Sequence, residues 1–289
     1  MKLNKLALLL PVFALAACGA GAKTLTLEET ATLATALHTA NSAEDVVLPT
    51  AITLEQTDNF AMSEDGVEIY AAENYTKLIA DTETGYFYIT GTEYGESFTQ
   101  SLWQEGSKVY LAQAFGEAKE YMAIDAGTEA AALQVMLSVF AETGYAGAIE
   151  SATGIAELEA IINWCETITA LTDEDPENDA EHNMGYTDYN VTWKATSKND
   201  TSVKLEVELH GAGEDEYSKG TVDGVQAIEF TNGYLTYFLD SATIADTYFG
   251  LGEDGADSTS SITSHQEVKI SYTATPVEFD LTGYTETVA

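Results

Sequence analysis

From residue 27 onward, the order of apolar and polar residues predicts one helix, a set of strands, two more helices and a second set of strands. Thr26-Leu27-Glu28-Glu29 has the form of a capping box, in which the threonine hydroxyl and the glutamate carboxylate each accept a hydrogen bond from the other residue's backbone N–H. It opens a helix running to about Thr39, with Leu33, Leu37 and Ala40 on one face. Between Ala51 and Asp125 the period changes to two. Val67-Ile69-Ala71, Tyr86-Tyr88-Thr90, Phe98-Gln100-Leu102 and Tyr121-Ala123 alternate, separated by SEDG, TETG, EYGE and QEGS turns. Connections this short join antiparallel neighbours. Helical spacing returns from Glu129 to Ala141, where Ala132, Val135, Met136, Val139 and Phe140 recur, and again over roughly 153–171, with Ile155, Leu158, Ile161, Ile162, Cys165 and Ile168. The acidic run around Pro176 ends that third helix.

The second strand set begins with Tyr189-Val191-Trp193-Ala195. Val203-Leu205-Val207-Leu209 then alternates with Lys204-Glu206-Glu208-His210, one dry face and one wet face. Ile228 and Phe230 lead through Thr231-Asn232-Gly233-Tyr234 into Leu235-Tyr237-Leu239, and Asn-Gly between two such runs is a strong hairpin signal. A loop of Gly, Ser and Asp over 250–261 precedes a final pair, Val268-Ile270-Tyr272 and Val277-Phe279-Leu281. No linker divides residues 27–289, so a single α+β domain is expected: a curled antiparallel sheet, a half-barrel, packed on the N-terminal helix and the two central helices. Small residues on those helices, Ala34, Ala40, Ala131 and Ala132, leave either close packing against the sheet or a cavity able to hold an acyl chain.

Charge narrows the functions. The 289 residues carry 11 basic and 48 acidic side chains, a formal charge of -37, and every basic residue is lysine. A nucleic-acid binder needs a basic stripe to displace counterions from phosphates, so nucleic acid is excluded as a partner. Hydrophobic residues at 45% are enough for a core despite the charge.

Residues 1–18 read MKLNKLALLLPVFALAAC, with Lys2 and Lys5 ahead of an apolar stretch from Leu6 to Ala17. That stretch is shorter than the roughly 20 residues a spanning helix takes and has the shape of a secretion signal. Leu15-Ala16-Ala17-Cys18 resembles the lipobox of bacterial lipoproteins. The resemblance implies that residues 1–17 are removed as a signal peptide, that the Cys18 thiol carries a diacylglyceryl group, and that residues 18–26 form a short tether. Two acyl chains hold a protein stably to a bilayer, so the implied partner is the cell membrane and the implied location extracytoplasmic. Gly19, in place of the aspartate that retains some lipoproteins at the inner membrane, allows an outer-membrane address where the host has one.

The order of lipobox, helix, strands, central helices and strands is similar to the LolA/LppX-type lipoproteins, as are the stretches VQAIEFTNGYLTYFLD (225–240) and EVKISYTATPVEFDL (267–281). This resemblance spans most of residues 27–282 and implies a half-barrel with a helical lid that binds lipids or acyl chains. The carriers of that group use an arginine in the cavity to hold the lid, and this chain has none.

Candidate chemistry is sparse. With Cys18 lipidated, Cys165 has no disulfide partner and reads as a buried, inert thiol. His38, His182, His210 and His265 fall in no zinc-ligand spacing. Asp173, Asp175, Glu177 and Asp179 alternate as ligands in an EF loop do, but Pro176 stands at the fourth position and Asn178 where the glycine is required. Asp254 and Asp257 frame another oxygen-rich turn. Calcium is therefore a candidate cofactor at either place, beside the plainer reading of solvated acids. Sixteen tyrosines with Trp103, Trp164 and Trp193 could stack on sugars, although aromatics at alternate strand positions are more often core. No GxSxG, Walker or Rossmann pattern occurs, and no catalytic residue stands out. The leading expectation is a non-catalytic lipoprotein that binds a hydrophobic ligand. The alternatives are a surface-exposed carbohydrate- or protein-binding β module and, behind it, a carboxylate-dependent hydrolase.

Overall fold

A computed structural model describes residues 22–41, 49–93, 95–142, 188–252, 255–275 and 277–287. Among these the elements are β1 (Ala22–Leu25), α1 (Leu27–Asn41), β2 (Ala51–Glu64), β3 (Val67–Asp81), β4 (Tyr86–Glu93), β5 (Glu96–Glu105), β6 (Lys108–Phe115), β7 (Ala118–Asp125), α2 (Glu129–Glu142), β8 (Asp188–Lys198), β9 (Ser202–Glu214), β10 (Ser218–Thr231), β11 (Tyr234–Tyr248), β12 (Ser258–Ser271) and β13 (Thr285–Glu286). The strands hydrogen-bond in the order β1-β8-β9-β10-β11-β12-β2-β3-β4-β5-β6-β7-β13.

This corrects the α+β expectation. The described residues are essentially all β, a 13-stranded sheet with two helices. The third expected helix, 153–171, lies outside the described residues. The balance shifts because the strands outrun their alternating patterns. β11 continues from Asp240 to Tyr248, and β12 begins at Ser258, inside the expected 250–261 loop. Those stretches are rich in Ser, Thr and Ala, and the backbone ladder holds them without a hydrophobic stripe. Two further differences concern the ends. Val277-Phe279-Leu281 is not a strand, and residues 22–25 of the expected tether pair with β8 in the register Ala22↔Lys198 to Leu25↔Ala195.

The chain divides into two compact units. Among the described residues, the first comprises 22–41, 59–71 and 188–267, and the second comprises 49–58, 72–142 and 268–287.

In the first unit the capping box forms as its sequence predicts. Glu29 N donates to Thr26 Oγ1 at 3.1 Å, and Thr26 N donates to Glu29 Oε2 at 2.9 Å. The Thr26 N–H, helped by Lys23, holds the Glu29 carboxyl below its ordinary pKa. The buried stripe of α1 is Leu27, Thr30 and Ala34 rather than the expected face, and Ala40 is exposed. α1 lies against β8 and β9. One sheet face there carries Ala195, Val203, Leu205, Ile228, Phe230 and Leu235, all buried. The Asn232-Gly233 turn has φ of 53° and 79°, the left-handed pair a two-residue hairpin requires.

In the second unit Thr128 caps α2, its Oγ1 accepting from Ala131 N at 3.2 Å. Ala132 and Met136 are buried where α2 meets β5 and β6. On the sheet's other face Trp103 stacks with Tyr110 and Phe279, at centroid distances of 5.0 and 4.5 Å. The Tyr86 hydroxyl donates to Thr275 O at 3.1 Å. Alternation in Val277-Phe279-Leu281 therefore reflects a ring seated on Trp103, not strand pairing. Gly91 is required by close approach, since a Cβ there would collide with the carbonyl of Tyr75 and the ring of Phe98.

Candidate functional site

The two ends of the first unit differ. At one end lie the turns at 199–201 and 232–233, tied by Asn232 N donating to Thr201 O at 2.6 Å, and β1 begins opposite Lys198. At the other end lie three connections: Asp65-Gly66 between β2 and β3, 215–217 between β9 and β10, and 249–257 between β11 and β12.

These connections are laced together. Asp215 Oδ1 accepts from the backbone N–H of Tyr217 and Ser218 at 2.8 and 2.7 Å, which holds its carboxyl below the ordinary pKa. Phe249 N donates to Tyr217 O at 2.8 Å, joining the second connection to the third. Asp65 N donates to Thr259 O at 2.8 Å and its Oδ1 accepts from Thr259 N at 2.7 Å, joining the third to the first. Gly250 N donates to Asp257 Oδ1 at 3.0 Å within the third.

Large apolar side chains nevertheless point to solvent here. Leu251 is 74% exposed, Tyr217 70%, Val67 67% and Ile69 56%. Phe115 of the second unit, at 54%, is comparably exposed, so what sets this end apart is that four such side chains stand close to one another along the chain's connections. Beside the rim runs an open groove of about 710 Å³, floored by Ala212, Gly213, Gly220 and Ala245 and edged by Glu214, Lys219 and Asp246. Ser63 and Ser261 share a 2.8 Å hydroxyl contact within it. A smaller depression of about 420 Å³ on the wet face holds His210 and Asp223, whose Nδ1 and Oδ1 are 2.6 Å apart. Both side chains are at least half exposed, and a cross-strand pair so placed contributes little to stability.

The outer side of β3 completes the site. Pairing with β4 starts at Tyr75↔Thr92. Val67–Ala71 therefore has β2 on one side and, among the described residues, no strand on the other. All five residues are exposed.

Of the residues singled out by sequence, Leu15, Ala16, Ala17, Cys18, Asp173, Asp175, Glu177, Asp179 and Asp254 lie outside the described residues, as do Trp164, Cys165 and His182. Asp257 is described and ties the β11–β12 connection. Among the described residues no group of three or more His, Cys, Asp or Glu is arranged to hold a metal ion. Trp103 is 8% exposed and engaged by its neighbours, and Trp193 is half-buried on the dry face of β8. Ala34 and Ala132 are fully buried, so close packing takes the place of a void at those two positions. No described helix is long and apolar enough to cross a membrane, which says nothing of strands. Sequence reasoning missed the hairpin rim. Its signal was an apolar residue inside an otherwise polar turn, Tyr217 in EDEYSK and Leu251 in FGLGED.

No protein-family model matches the chain, and no curated protein matches it. Among solved structures, the crystal structure of Ail, the attachment invasion locus protein of Yersinia pestis, aligns at 7% identity over 76% of this chain and 99% of that one. Its TM-score is 0.13, too low to describe a shared fold.

Proposed function

We propose that this chain is an extracytoplasmic lipoprotein, non-catalytic and anchored through a lipid on Cys18, that binds another protein with the hairpin rim of its first unit. The observation that carries the reading is the rim itself: Tyr217 and Leu251 exposed on connections that hydrogen bonds hold in place, and Val67 and Ile69 exposed at the start of β3 beside them. Fixed apolar side chains in solvent supply binding energy without an ordering cost at the moment of association.

The place of β1 supports it. Cys18 stands four residues before Ala22, a reach of about 14 Å. β1 starts at the Lys198 end, and β9 runs from Ser202 to Glu214, a length of about 40 Å. With Cys18 as the anchor, this reading puts the membrane at the Lys198 end of the unit, away from the rim. A formal charge of -37 adds repulsion between the body and anionic headgroups.

The test is site-specific photo-crosslinking in living cells, with the photoreactive residue at Leu251 or at Asn232. Protein adducts at Leu251 and none at Asn232 are expected. Equal adducts at both, or lipid adducts at Leu251, would overturn the reading. Cys18→Ser should also abolish partition of the chain into detergent, and unchanged partition would remove the anchor.

A further inference from the structure

We infer that the wet face of the first unit carries a trough running from the rim to Glu208, and that this trough seats an extended, arginine-bearing segment of the partner protein. This rests on the protein-binding reading above and gives the partner its chemistry.

The strand register makes one trough of two depressions. Glu214, Lys219 and Thr247 are paired across β9, β10 and β11, and so are Ala212, Thr221 and Ala245; both triplets line the groove beside the rim. His210, Asp223 and Thr243 form the next triplet, Glu208, Val225 and Ser241 the one after, and both line the smaller depression. Successive triplets are two residues apart on every strand, so all of them share one face of the sheet. From Glu208 to Glu214 they span about 20 Å, the length of roughly six extended residues. The outermost triplet adjoins the connection that carries Tyr217, so a segment lying in the trough continues directly from the rim.

Side-chain chemistry selects the occupant. Val225 is the one apolar side chain in these triplets larger than alanine, and no Phe, Tyr or Trp stands among them. An acyl chain would bury little apolar surface there, and a sugar would have no ring to stack on. What the trough offers is Glu208, Asp223 and Glu214, with hydroxyls beside them. Glu214 faces Lys219 in register, yet neither makes an ion pair among the described residues. Asp223 meets His210 through Oδ1, which leaves Oδ2 for another donor. A guanidinium pairs with a carboxylate through two N–H groups and has others to give to neighbouring hydroxyls, which suits this lining. A second copy of the chain would bring acid to acid at a formal charge of -37.

The experiment is calorimetric titration of the full chain, at physiological salt, with a six-residue peptide alternating arginine and glycine. Binding with a Kd on the order of 0.1 mM or tighter is expected. Because any acidic protein attracts such a peptide, two triple variants with the same change in total charge decide the matter. Glu208→Gln, Glu214→Gln and Asp223→Asn together should weaken binding by at least about tenfold. Glu93→Gln, Glu105→Gln and Glu117→Gln, in the second unit, should change it by less than about twofold. Ala245→Leu narrows the trough without altering charge and should also weaken binding, whereas Lys219→Gln should strengthen it. The inference falls if the two triple variants weaken binding equally, if Ala245→Leu leaves it unchanged, or if the parent chain shows no binding at millimolar peptide. Crosslinking at Leu251 reports on the parent reading alone. Adducts there with the two triple variants equal would sink only the trough.

Discussion

Strands β9, β10 and β11 build a core at one end and a groove at the other. Near the Asn232-Gly233 turn they carry Val203, Leu205, Ile228, Phe230 and Leu235, all buried, with α1 packed nearby. Toward the rim the same strands carry Gly211, Gly213, Gly220, Gly224, Ala212, Ala242 and Ala245, and an open groove appears. The hydrogen-bond ladder is continuous along β9 and β10, from Ser202↔Thr231 to Glu214↔Lys219. What changes is side-chain volume. The ladder supplies the frame everywhere, but apolar volume decides where the frame is filled.

The comparison can be broken most directly at Phe230, which is fully buried. Phe230→Ala should cost about 3–5 kcal/mol, measured by urea unfolding. A loss below about 1 kcal/mol would mean the filled end is not what stabilises the unit. Next, Ala34→Leu should cost about 1–3 kcal/mol by over-packing α1 against the sheet. If the variant is instead as stable as the parent, there is room beneath α1 of the kind the acyl-chain expectation requires.

Acidification acts on both ends at once. Glu29, at the filled end, is lowered in pKa by the Thr26 N–H, and Asp215, at the rim, by the N–H groups of Tyr217 and Ser218. Asp125 and Asp280 in the second unit are lowered as well, the first chiefly by Gly127 N–H and the second by Thr282. A carboxyl with a depressed folded pKa contributes stability that is complete above its unfolded value and lost as pH falls through the folded one. Working against this, the surplus of acids repels itself at pH 7, and protonation toward the pI of 4.1 relieves that repulsion. The thermal midpoint should therefore rise on going from pH 7 to somewhat above the pI, then fall below about pH 4. Salt should flatten the rise and leave the fall. A steady decline from pH 7 would show that self-repulsion is not a significant cost. The smallest effect is expected in the groove. Ala245→Leu should change stability by less than about 0.5 kcal/mol, because its side chain meets open space.

Local signals were legible in the sequence. The capping box at Thr26 and Glu29, the Asn232-Gly233 turn and the alternation of β9 each depend on residues a few positions apart, and each formed as read. Long-range pairing was not legible. Ala22–Leu25 looks like a polar tether and is a strand only because the edge of β8 is there to receive it. The outer lengths of β11 and β12 lack alternation because neighbouring ladders, not burial, hold them. Phe279 misled for the opposite reason, since its apolar phase belongs to a ring stack on Trp103. The groove left no trace, because glycine, alanine and serine carry no chemical signature. The rim left a faint one in Tyr217 and Leu251.

The short β1–β8 pairing has a mechanical consequence. β1 runs antiparallel to β8, with Ala22 at the Lys198 end and Leu25 inward. A pull on the chain at Ala22, directed along the strands, loads all of those rungs together, in shear, instead of peeling them one by one. Tension reaching Ala22 from the N-terminal side is thus resisted first by β1 and the capped start of α1. A load applied at the rim is shared among three hairpins before it reaches them.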